Sequence, residues 1–264
     1  MKFPKIFIAS FNRASDGALS LLSTKMRKRN LLCNSPEEAD FILAPGDRTE
    51  TFDFTLSHFR DNKRIIHLWA GEISQGTHDE VYRHAITLMS EMQLCTNEIA
   101  RTRTINLCQA VSKTPNCHVV GNVMLDNLKY NMDKVPLHPY DLILYNPPTK
   151  LSKKEILQEI QEIKDILPAN YIWVAPNGDT GSLLVFPHVT HGNLNRSQFL
   201  GLMKHCERFI TNSSCMFYEA PFFLKENQII SIGARNKKRE SASADMTIPN
   251  ASDNILQLLK NLTP

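Results

Sequence analysis

Short apolar runs alternate with longer stretches of helical periodicity along nearly the whole chain. Residues 5–9, 40–44, 65–68, 93–96 and 118–121 read as strands, being apolar runs too short for helices. Residues 14–29, 51–60, 79–90 and 98–107 read as the helices between them; in the first, Leu19, Leu22 and Met26 recur at i, i+3 and i+7. A polar, proline-marked stretch at 131–139 interrupts this rhythm and is the natural linker. It then resumes, with strands at 141–145, 171–175, 208–211 and 229–232 and helices at 153–167, 195–205 and 252–262. Such alternation predicts parallel sheets covered by helices on both faces. The expected architecture is α/β: two Rossmann-like domains, residues 1–133 and 134–264, with a cleft between them. One large doubly wound sheet is the alternative.

Composition narrows the class. Hydrophobic residues make up 42% of the chain and charged residues 22%, a balance that supports packed cores and excludes a disordered chain. The net charge of +3 and the basic clusters at 25–29 and 235–239 fit solvated faces, so no nucleic-acid partner is expected. No window approaches a membrane-spanning length, and the N-terminal apolar run is too short for a signal peptide; the expected setting is cytoplasmic, without a membrane partner. Six scattered cysteines without CxxC spacing read as reduced thiols, and the histidines share no ligand spacing, so no metal is expected. No P-loop motif occurs.

The densest chemistry follows the strand at 65–68. Glu72, Asp79, Glu80, Arg83 and His84 fall within fewer than twenty residues. Carboxylates at the carboxyl end of a strand and the start of the next helix lie where open α/β sheets bind ligands. Taken singly, these residues carry less. Gly46-Asp47-Arg48 alone reads as a turn with a capping aspartate, Asp79-Glu80 as an ordinary acidic helix start, and His84 as a hydrogen-bonded core histidine.

Together they form an ordered set: Gly46-Asp47-Arg48, Ala70-Gly71-Glu72, Asp79-Glu80, Arg83-His84-Ala85-Ile86-Thr87 and Ser90, continued by residues 121–127, Asn212-Ser213-Ser214, Glu219-Ala220-Pro221 and Ile232-Gly233. This order resembles the hydrolysing UDP-N-acetylglucosamine 2-epimerases, most closely the branch that makes N-acetylmannosamine for sialic-acid-type sugars. The resemblance implies a glycosyltransferase-B fold, a UDP-sugar substrate, no dissociable cofactor and, as is common in the family, a homodimer. It implies elimination of UDP followed by hydration of the glycal. Asp47 and Glu72 then match acid/base carboxylates, with Asp79 or Glu80 as the third. Arg48 belongs to the matched Gly-Asp-Arg, and Arg83 and His84 match orienting groups. Arg13 matches an arginine after the first strand that would neutralise phosphate charge. In the second half, Ser213 and Ser214 match a phosphate cradle and Glu219 an acceptor for ribose hydroxyls. Asn177 matches an Asn-Xaa-Asp motif, and Arg235 and Arg239 match basic positions near the C-terminus.

The departures are specific. Asn146 stands where the family has a histidine, and an amide cannot carry a proton as imidazole does. Ala234 replaces an aspartate, and the region between the first helix and Gly46 is shorter than the family's, so the first domain is expected to be a reduced version. A UDP-sugar hydrolase, a glycosyltransferase and a non-catalytic nucleotide-sugar-binding protein therefore remain alternatives.

Overall fold

The computed structural model describes residues 3–11, 13–73, 78–126, 128, 132, 135–176, 178, 181–192, 194–236 and 248–264. Side chains 13–15 lie outside this description. The first sheet is built from β1 (Ile6–Ile8), β2 (Phe41–Pro45), β3 (Arg64–Leu68), β4 (Met92–Cys95) and β5 (Cys117–Val119), in that spatial order. Every pairing is parallel. The connecting helices are α1 (Arg13–Lys28), α2 (Thr49–Arg60), α3 (Asp79–Met89) and α4 (Glu98–Ala110). All residues of β2 and β4 are buried, as expected for strands covered on both faces. Between α1 and β2, Leu32 makes a single parallel bridge to Ile6.

A second sheet comprises β6 (Asp141–Leu144), β7 (Tyr171–Trp173), β8 (Phe209–Thr211) and β9 (Ile229–Ser231) in the order β7-β6-β8-β9, again parallel throughout. Its helices are α5 (Lys153–Asp165), α6 (Ser182–Val185), α7 (Arg196–His205) and α8 (Cys215–Tyr218). Ser152 and Asn195 start α5 and α7 with capping boxes, each side chain accepting from the third helical amide. The four-residue helices α6 and α8 are too short to show a periodicity, which is why the sequence did not reveal them. Two separate sheets exclude the single large sheet.

The units of contact differ from the expected division. The first comprises Met1–Glu72, Asp79–Asn127 and Ser243–Pro264; the second comprises Ile73–His78 and Leu128–Ala242. The final helix, α9 (Ala251–Lys260), therefore belongs to the first unit rather than to a continuous 134–264 domain. Two interactions hold it there. Ile255, Leu256 and Leu259 join the core formed by Leu19, Leu22 and Met26 of α1 with Phe41, Leu43 and Ile66 of the sheet. At its N-terminus, the Asp126 carboxylate accepts from the amides of Ala251 and Ser252 at 2.8 and 2.6 Å. A carboxylate there satisfies two orphan donors and complements the helix dipole. All six cysteines are free, five of them buried.

One buried histidine ties the sheet to the turns above it. His67 of β3 is fully buried, with Nε2 2.8 Å from the Gly46 carbonyl and Nδ1 2.9 Å from Thr87 Oγ1. A carbonyl only accepts, so Nε2 carries the proton and Nδ1 receives the threonine hydroxyl. Burial pushes the His67 pKa down from 6.5 to about 4, so the ring is neutral at physiological pH.

Two outcomes follow for stability. Trp69 and Trp173 are the two tryptophans of the chain, one in each unit, so Trp173→Phe leaves fluorescence that reports the first unit alone. In that background Leu259→Ala is expected to cost about 2–5 kcal/mol, the usual range for a buried leucine, read from the urea midpoint. An unmoved midpoint would remove α9 from this core. For His67, unfolding restores the ordinary pKa, so the unfolded state binds the extra proton first as pH falls below 6.5. Acidification from pH 7 to 5 should therefore destabilise the unit by about 2 kcal/mol through His67. The comparison is between Trp173→Phe and the same protein carrying His67→Gln, by urea unfolding at both pH values. Equal pH dependence in the two would contradict the assignment.

Candidate functional site

In the first unit, the turns that follow β2, β3 and β4 converge on one cluster of charged side chains. After β2, Gly46 takes φ +75° and leads through Asp47 and Arg48 into α2. The turn after β3 is tighter: Trp69 (φ +66°) and Gly71 (φ +78°) both adopt left-handed backbone ahead of Glu72. A Cβ on Gly71 would collide with the Ala100 carbonyl oxygen and the Thr104 hydroxyl of α4, so glycine alone permits this approach. The Arg103 guanidinium also donates to the Gly71 carbonyl. Trp69 spans the area, its indole Nε1 donating to Asn122 Oδ1 at 3.3 Å.

Arg83 of α3 is the centre of the cluster and only 3% exposed. It forms an ion pair with Asp47 through Nη2. Through Nη1 it donates to Glu80 Oε2 at 2.9 Å and to the Glu72 carbonyl at 2.8 Å. The other oxygen of Glu80 accepts from His84 Nε2 at 3.1 Å. The rigid guanidinium fork thus serves two carboxylates and one backbone carbonyl, and its charge offsets the repulsion between the acids. The Glu72 carboxylate accepts separately from Thr96 Oγ1 at 2.5 Å. The structure accordingly brings Asp47, Glu72, Glu80, Arg83 and His84 together. Asp79 opens α3 and is partly exposed. Arg48 pairs with Glu50 at 3.2 Å at the start of α2. Among the described residues, no group of three His, Cys, Asp or Glu side chains is placed to hold a metal ion.

Sequence reasoning missed His67, Thr96 and Arg103. For His67 a signal existed: a polar side chain in an otherwise apolar, doubly covered strand must find buried partners. Thr96 and Arg103 had none, because their partners come from a different turn of the sheet.

The second unit carries its own buried polar network at the ends of β6 and β8. The Asn146 amide donates to Asn212 Oδ1 at 2.8 Å, and Asn212 Nδ2 returns a bond to the Asn146 carbonyl at 2.7 Å. Arg235 Nη1 reaches the same carbonyl at 3.3 Å, and Asn236 Nδ2 donates to the Asn212 carbonyl at 2.8 Å. Asn146 is thus buried, its backbone locked by Asn212. Ser213 and Ser214 form the turn between β8 and α8. Glu219, 2% exposed, accepts from Arg196 Nη1 at 2.6 Å with Oε1. Its buried Oε2 has no hydrogen-bond partner among the described residues. Burial raises the Glu219 pKa and Arg196 partly opposes the rise. A carboxylate oxygen left bare in this way is a waiting acceptor for a ligand's hydroxyl or amide. The Arg13 side chain, Asn177 and Arg239 lie outside the described residues.

The family model described as UDP-N-acetylglucosamine 2-epimerase matches residues 11–264. A Campylobacter jejuni GDP/UDP-N,N'-diacetylbacillosamine 2-epimerase (hydrolyzing) is 26% identical over 251 residues, covering 86% of this chain and 65% of that protein. A UDP-N-acetylglucosamine 2-epimerase from Neisseria meningitidis is 25% identical over 244 residues, covering 84% of this chain and 63% of that one. The chain therefore spans less than two thirds of the length of these relatives. The crystal structure of the UDP-GlcNAc 2-epimerase from Neisseria meningitidis bound to UDP-GlcNAc superposes with a TM-score of 0.67 at 16% identity, covering 99% of this chain and 100% of that one. This likeness establishes the fold, the α/β architecture of glycosyltransferase-B type with its two parallel sheets. Over nearly its whole length, the chain belongs to the UDP-N-acetylglucosamine 2-epimerase family.

Proposed function

We propose that the protein is a hydrolysing UDP-N-acetylglucosamine 2-epimerase, releasing UDP and N-acetylmannosamine. The observation that carries this reading is Arg83 binding the carboxylates of Asp47 and Glu80 together with the backbone carbonyl of Glu72, just beyond the carboxyl ends of β2 and β3. The first step removes the proton at C2 of the sugar while the bond from C1 to the UDP oxygen breaks, leaving a glycal. Water then adds, its hydroxyl to C1 and a proton to C2 from the opposite face. Such a sequence requires one group to accept a proton and others to direct water and return a proton. Asp47 and Glu72 take the acid/base roles, and Glu80, held by Arg83 and His84, is the third carboxylate with Asp79 beside it. Two relatives, from Campylobacter jejuni and Legionella pneumophila, carry hydrolyzing in their names, and this supports hydration as the second half of the reaction.

UDP is assigned to the second unit. The bare Oε2 of Glu219 accepts the ribose hydroxyls, while Ser213, Ser214 and Arg235 face the diphosphate, with Asn177 and Arg239 as further contacts and Arg13 neutralising leaving-group charge. Asn146, buried with its backbone tied to Asn212, favours a second reading in which UDP-sugar is bound or simply hydrolysed.

Proton NMR with UDP-N-acetylglucosamine in heavy water separates these readings. The epimerase yields UDP and N-acetylmannosamine deuterated at C2; undeuterated N-acetylglucosamine means plain hydrolysis, and uridine line broadening without product means binding alone. Asp47→Asn and Glu72→Gln should each slow UDP release by about 100-fold or more, and wild-type rates in either variant would remove that residue from the chemistry. For the nucleotide, Glu219→Ala should weaken UDP binding in calorimetry by about tenfold while leaving inorganic diphosphate binding unchanged. Equal loss for both ligands would place Glu219 elsewhere than at the ribose.

A further inference from the structure

The cap of helix α4 extends into the carboxylate cluster. Asn97 is its N-cap: Oδ1 accepts from the Ala100 amide at 2.9 Å. That bond settles which way the amide faces, because a backbone N–H requires the oxygen. Its Nδ2 is therefore turned to the neighbouring Thr96, donating to Oγ1 at 3.2 Å. An NH2 group only donates, so this bond uses an acceptor site of the hydroxyl and leaves its single proton for another partner. That partner is Glu72 Oε1, 2.5 Å away. The hydroxyl is 1% exposed as part of Thr96, so water does not compete freely for it.

We infer that Asn97 and Thr96 are positioning residues that orient the Glu72 carboxylate for proton transfer. The relay runs in one direction, from the α4 cap through the threonine hydroxyl to the carboxylate, and every donor in it is fixed by the chemistry of its neighbour. It also complements the bond from Arg83 to the Glu72 backbone carbonyl. Arg83 anchors the chain at Glu72, and Thr96 aims its side chain. The role of Glu72 in catalysis rests on the epimerase reading above; the direction of the relay does not.

Asn97→Asp tests this with a change of one group. Aspartate caps a helix as well as asparagine and suits the dipole better, so α4 and the thermal midpoint should be retained or improved. The new carboxylate, however, turns an acceptor toward Thr96. It draws the hydroxyl proton to itself and leaves Glu72 without that donor. The expected result is a normally folded protein whose kcat falls about tenfold or more, with KM for UDP-N-acetylglucosamine little changed. Thr96→Val should show the same split, and Thr96→Ser should restore the rate. Wild-type kcat in Asn97→Asp would overturn the inference, as would a loss confined to stability. If the wild-type protein releases no UDP, the epimerase reading fails, and crystal structures of wild type and Asn97→Asp still decide the relay. Separation of Thr96 Oγ1 from Glu72 Oε1 beyond hydrogen-bond reach in the variant supports it; an unchanged contact in both rejects it.

Discussion

A single buried guanidinium organises the first unit's chemistry. Arg83 is 3% exposed, and taking a charge that far from water costs several kcal/mol unless its donors are matched. Its Nη1 and Nη2 are matched by Asp47, Glu80 and the Glu72 carbonyl, three groups that arrive from the turn after β2, from α3 itself and from the turn after β3. Each partner is therefore required by the arginine as much as the arginine is by them. Removing one leaves the others with an uncompensated buried charge, so the cluster behaves as a unit. Site geometry and local stability are consequently the same problem in this part of the molecule.

His67 gives that cluster its footing. The neutral imidazole joins the Gly46 carbonyl, one residue before Asp47, to Thr87 on the helix that carries Arg83. Both ends of the Asp47–Arg83 pair are thus referred to the same strand of the sheet. The glycines at 46 and 71 contribute the left-handed turns that let backbone and side chains approach so closely. In the second unit the equivalent task falls to amides: the Asn212 side chain binds the Asn146 backbone on both sides, linking the ends of β6 and β8, and Asn236 binds the Asn212 carbonyl. A network of neutral amides fixes the strand ends without burying a further net charge.

Glu219 is the buried carboxylate of the second unit's network. One oxygen is held by Arg196 and the other is buried with no hydrogen-bond partner among the described residues, an arrangement that costs free energy. Such a cost is common where a protein must recognise a ligand, since a preformed acceptor can discriminate strongly against partners lacking a donor.

Much of this molecule was legible in the order of its residues. Apolar runs bounded by turns predicted every strand of both sheets to within a few residues, because a strand buried on both faces has little freedom in composition. The motif order brought Asp47, Glu72, Glu80, Arg83 and His84 into one list before any distance was known. Other features required three-dimensional contacts. Asp126 falls within the matched stretch 121–127, and only its position beside Ala251 and Ser252 reveals a helix cap that recruits α9 to the first unit. Local periodicity could identify that helix but not the core it joins, because burial against α1 depends on residues more than two hundred positions away. The same holds for Thr96, whose hydroxyl looks unremarkable until Asn97 and Glu72 bracket it. Sequence determined which segments form strands and helices through local spacing of apolar groups. Tertiary structure alone decided which polar groups meet, because hydrogen bonding depends on distance and direction between atoms from separate turns of the sheet.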